Sequence, residues 1–136
     1  MKALAIWVAL SVASFAAAAG GYHSYLASNP NSIAFIVDSS YPMRADLVRA
    51  KQLAAQLSAA QPYSRFALFT EKTRLHDYAA ALSLDRLTAY GPTNLARLLE
   101  GRLAKALAAA DQVVLITNAG PKDLANVPDS WQILKP

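Results

Sequence analysis

The sequence predicts an α/β layered domain with a mainly parallel sheet of about five strands, one of them an antiparallel edge strand, behind an N-terminal apolar helix. Three observations carry this prediction. Apolar runs at 33–37 and 113–117 have the character of strands buried on both faces of a parallel sheet. Leucines and alanines at helical spacing fill the stretches between strands, as layered α/β folds require. No charged residue separates Lys2 from Asp38, so the front of the chain is a different kind of segment.

That front divides into an apolar stretch over 1–21 and a short linker over 22–31, ending in the turn-rich Ser28-Asn29-Pro30-Asn31-Ser32. Lys2 followed by a compact apolar run and then Ala16 to Ala19 has the order of a signal peptide with small residues for cleavage. The same stretch spans about 30 Å as a helix at ~1.5 Å per residue, which suits an uncleaved membrane anchor. Both readings place the domain outside the cytoplasm, exported as a periplasmic or extracellular protein or held at the membrane.

The domain itself is expected over 32–136. Its first strand, 33–37, ends at Asp38. Ser39 and Ser40 are positioned to cap a helix with Pro42 in its first turn. Leu47, Ala50, Leu53, Ala54 and Leu57 mark the buried face of that helix, which stops by Gln61-Pro62. A second strand covers 65–69. The four-residue connection Thr70-Glu71-Lys72-Thr73 is too short for a parallel crossover, so the strand over 74–78 must pair antiparallel and lie at an edge. A short helix is expected over 79–87. A longer one follows the loop 88–93, with Leu95, Leu98, Leu99, Leu103, Ala106 and Leu107 on one face. The strand over 113–117, one helical turn over 121–125 and a last strand over 131–134 complete the chain.

Composition narrows the chemistry. The 136 residues hold no cysteine, which removes disulfides, thiolate metal sites and cysteine nucleophiles. Two histidines, His23 and His76, are too few for a histidine-dominated metal site. A net charge of +4, dispersed along the chain, does not point to nucleic acid. There is no glycine-rich phosphate loop and no His-Glu-x-x-His.

In open α/β sheets ligands bind beyond the carboxyl ends of the strands, where strand order reverses. Asp38 and Asn118 stand at such ends, and Thr93 opens the helix that could lie beside them. The apolar strand ending in Asp38-Ser39-Ser40, the Gly91-Pro92-Thr93-Asn94 segment, and Val114-Leu115-Ile116-Thr117-Asn118-Ala119-Gly120 occur in that order, with a hairpin over 65–78 between them. Together they resemble the von Willebrand factor A-type (vWA) domain, a Rossmann-like layered fold, over about residues 32 to 134. The resemblance implies a metal-ion-dependent adhesion site in which Asp38, Ser40 and Thr93 take ligand positions for magnesium and a partner's carboxylate completes the shell. Two positions depart from the family pattern. Pro42 stands in place of a serine and Asn118 in place of an aspartate, removing one ligand and one negative charge. Magnesium prefers about six hard oxygens, so the expectation is a degenerate site with no resident cofactor, or at most weak magnesium.

Each of these residues also has an ordinary structural role open to it. Asp38, Ser39 and Ser40 can satisfy backbone donors at a strand-to-helix turn, Thr93 or Asn94 can cap a helix, and Asn118 can be a loop residue. The expected function is a non-catalytic protein-interaction module whose partner is another protein, with Tyr41 and Tyr90 as contact anchors on the loop face. A weak magnesium-dependent adhesion domain is the alternative. A small α/β enzyme using Ser40 is more distant, because neither histidine is placed as its base.

Overall fold

The computed structural model describes residues 2–136, which fall into two compact units that divide between Pro30 and Asn31. The first unit is one α-helix, α1 (Lys2–Ser28). It runs unbroken through Gly20 and Gly21, so the expected linker over 22–31 is helical as far as Ser28. Apolar side chains cover all sides of α1, and neither glycine carries enough local cost to end a helix this long.

The second unit is an α/β domain on a five-stranded sheet of order β3-β2-β1-β4-β5. Its strands are β1 (Asn31–Val37), β2 (Ser64–Phe69), β3 (Arg74–Ala79), β4 (Gln112–Ile116) and β5 (Gln132–Leu134). All neighbours pair parallel except β2 and β3, the antiparallel edge pair that the short connection demanded. The turn closes where Thr70 N donates to Thr73 O at 2.8 Å. β1 lies at the centre, with β2 on one side and β4 on the other, and strand order reverses there.

Alternation along β1 divides the core in two. Ile33, Phe35 and Val37 face a layer built by Met43, Ala50 and Ala54, with Leu47, Leu53 and Leu57 beside them. Ala34 and Ile36 face Leu95, Leu98 and Leu107, with Leu103 packed alongside. All five β1 residues from Ile33 to Val37 are fully buried. Burying a side chain of this size contributes about 1.5–3 kcal/mol, so the central strand is continuously apolar because both faces are covered.

Three helical expectations need correction. Ser40 does not cap a long helix: a 3-10 turn covers Tyr41–Met43, and α2 (Leu47–Ala59) begins after Asp46. Neither Ser40 nor Asp46 makes a side-chain capping bond. Residues 80–87 form no helix but a loop that sends Leu82, Leu84 and Leu87 onto the α2 side of the core. The leucine-rich helix over 95–107 is two pieces, a 3-10 turn (Leu95–Leu99) and α3 (Gly101–Ala108). The break falls at Gly101, whose φ of +55° is left-handed and favours glycine. A single turn, α4 (Pro121–Leu124), precedes the last strand.

Candidate functional site

The reversal in strand order brings three loops to the carboxyl ends of β1, β2 and β4. The backbone amide of Asp38 donates to Ile116 O at 3.0 Å, carrying the β1–β4 pairing one residue past the strands. The Asp38 side chain is fully buried, and both its oxygens are used. Oδ1 accepts from Ser40 N at 2.9 Å, and Oδ2 accepts from the Thr117 hydroxyl at 2.6 Å. A buried carboxylate is tolerable only with such donors, and hydrogen bonds to a charged acceptor are the stronger kind.

Thr93 reaches the same place from the loop before the 3-10 turn. Its hydroxyl donates to Ser40 Oγ at 3.1 Å rather than capping a helix. Two backbone bonds tie its loop to the β1 loop: Tyr41 N to Gly91 O at 2.8 Å and Tyr90 N to Ser39 O at 2.7 Å. Gly91 makes this close approach with φ of +72°, a conformation that side chains disfavour. Asp38, Ser40 and Thr93 therefore converge.

Asn118 joins the rim but faces α2. Its amide nitrogen donates to Pro42 O and to Asp46 Oδ2, both at 3.0 Å. Pro42 contributes its backbone carbonyl to this bond and has no side-chain oxygen to offer. The donor set of Asp38, Ser40 and Thr93 is thus one carboxylate with both oxygens occupied and two neutral hydroxyls. Among the described residues no group of three His, Cys, Asp or Glu could hold a metal ion. Such a set does not fit a tightly held magnesium, which depends on several hard and mostly charged oxygens or on water.

A second buried carboxylate escaped the sequence reading. Glu71, at the end of β2, is fully buried and accepts from Ser39 N at 2.9 Å and Ser39 Oγ at 3.2 Å. Lys72 closes on the same carboxylate through Glu71 Oε1. Its ammonium also donates to Ser39 Oγ at 3.1 Å and stands 4.1 Å from the centre of the Tyr90 ring. Position was the available signal: Glu71 lies two positions after Phe69, just beyond the apolar run 66–69, at the carboxyl end of the sheet where ligand loops gather.

Two tyrosines are left on the outside of this rim, Tyr41 at 60% exposure and Tyr90 at 51%. Beside Thr93 a cleft of about 180 Å³ is lined in part by Asn94, Lys122, Asp123 and Asn126. A larger hollow of about 440 Å³ lies along β3 and shares no residue with the rim. There His76 is engaged through both ring nitrogens, with Nε2 accepting from Ser83 N at 3.0 Å and Nδ1 at Asp77 O. No family model, curated protein or solved structure matches this chain.

Proposed function

We propose that the chain is a non-catalytic protein-interaction module of vWA-like design, carried to the far side of a membrane by its N-terminal segment. One observation carries the reading: a rigid, internally bonded rim at the strand-order reversal presents two exposed tyrosines, Tyr41 and Tyr90. Aromatic anchors backed by a fixed scaffold are what protein contacts favour. The vWA-like part is supported by the sheet order with an antiparallel third strand, and by the Asp38, Ser40 and Thr93 loops meeting beyond β1. The non-catalytic part is supported by the burial of Ser40 with Thr93 as its hydroxyl partner, and by the engagement of His76 on β3. Export is supported by the apolar character of α1.

The test is capture of a partner by the detergent-solubilised full chain from its native membranes. Replacing Tyr41 and Tyr90 together by alanine should abolish capture while the domain stays folded, with a small fall in melting temperature from the lost contact between Lys72 and the Tyr90 ring; undiminished capture removes this face from consideration. A weak magnesium contact is the second reading, favoured by the two hydroxyls of Ser40 and Thr93 held 3.1 Å apart beside Asp38. Titration calorimetry with millimolar magnesium should then show heat that Ser40→Ala removes. No heat from folded protein eliminates it.

A further inference from the structure

We propose that α1 stays with the chain as a membrane-spanning anchor, with Trp7 at one lipid–water interface and Tyr22 and Tyr25 at the other. This rests on the far-side placement proposed above and narrows it from two outcomes, release or retention, to one. The occupant of the exposed helix surface is the bilayer itself.

Four observations point there. The stretch Ala3–Ser28 is long and apolar enough to cross a membrane, with mean hydropathy 1.9 and none of its most apolar window buried by protein. Trp7, Tyr22 and Tyr25 are each more than 60% exposed. At ~1.5 Å per residue, about 22 Å of helix axis separates Trp7 from Tyr22 and about 27 Å separates it from Tyr25. Amphipathic rings belong at the two headgroup levels of a hydrocarbon layer roughly 30 Å thick, and this spacing places them there.

The hydroxyls inside the span are also provided for. Ser11 donates to Trp7 O and Ser14 to Leu10 O, both at 2.9 Å, so neither carries an unsatisfied donor into lipid. Finally, the helix is continuous through Ala16 to Ala19 and Gly20-Gly21. Cleavage after those small residues would need a locally extended chain, and the helical hydrogen bonds there oppose it.

The experiment uses the full chain with a carboxyl-terminal tag, produced in a bacterium. Intact mass of the purified protein should include the residues before Gly20, and the protein should stay with membranes washed in alkaline carbonate. A soluble product shortened at that point overturns the proposal. Seating is read in phosphatidylcholine vesicles with Trp131→Phe, which leaves Trp7 as the one tryptophan of the two in the sequence. Blue-shifted emission, quenched more by bromines near the headgroups than by bromines near the bilayer centre, is expected. Unquenched emission, or stronger quenching from the centre, overturns the interfacial placement. Neither readout involves Tyr41 or Tyr90, so failure here is distinct from failure of the interaction module.

Discussion

Two carboxylates are buried at the same rim of the sheet, and they are neutralised differently. Glu71 is matched by a full opposite charge, because the Lys72 ammonium lies against it with a side chain only 14% exposed. Asp38 has no cation among its partners in the described residues; a hydroxyl and a backbone amide hold it. The Glu71 half is therefore electrically closed, while the Asp38 half keeps a net negative charge beneath Ser40 and Thr93. A partner that brings a cation, or an ion that bridges to one, gains more at the second half than at the first. The Ser40 and Thr93 hydroxyls lie on the open half, and the lysine sits in the closed half.

Substitutions can break or sharpen this contrast. The largest effect is expected from Lys72→Met, which leaves the Glu71 carboxylate buried without its cation. Removing one member of a buried pair costs about 3–5 kcal/mol, to be read by urea denaturation. Thr117→Val keeps the shape and removes one charge-assisted bond to Asp38, so a loss of about 1.5–3 kcal/mol is expected in the same assay. If the two losses prove equal, the two halves are not electrically distinct.

Ser40→Ala removes the acceptor for the Thr93 hydroxyl, a neutral pair, and should cost about 0.5–1.5 kcal/mol. The smallest effect concerns an exposed carboxylate far from the rim. Hydrogen bonds from the Ser32 amide and hydroxyl hold Asp111 below the ordinary aspartate value of 3.8. A carboxyl lowered on folding stabilises the fold above its unfolded value and loses that contribution as pH falls through the folded one. Melting temperature should therefore fall below about pH 4 less steeply in Asp111→Asn than in the parent chain.

What could be read in advance divides along physical lines. β1 and β4 were legible because burial on both faces leaves no polar residue from Ile33 to Val37 or from Val113 to Ile116. The edge hairpin was legible because four residues cannot make a parallel crossover. The strand-end rule placed Asp38 and Thr93 together, and the resemblance to the vWA pattern added Ser40.

The helix expected over 79–87 failed because Leu82, Leu84 and Leu87 satisfy the core from a loop, and local propensity carries no information about that. The single helix over 95–107 failed at Gly101. Leucine spacing is the same on a continuous helix and on two short pieces, and the glycine was the visible signal. The sequence marks Glu71 and Lys72 only as part of a short polar connection, and nothing local shows that they are buried. Their burial depends on Ser39 and Tyr90, residues distant in sequence.

The two margins of the sheet bear on how copies of the domain meet one another. β3 carries Arg74, His76 and Asp77 and pairs with β2 through two register shifts, while β5 offers only three residues. A ragged, charged strand and a very short one both make poor templates for strand addition. Sheets with long smooth borders join edge to edge when molecules crowd, and borders this ragged and this short give a neighbouring sheet little backbone to pair with.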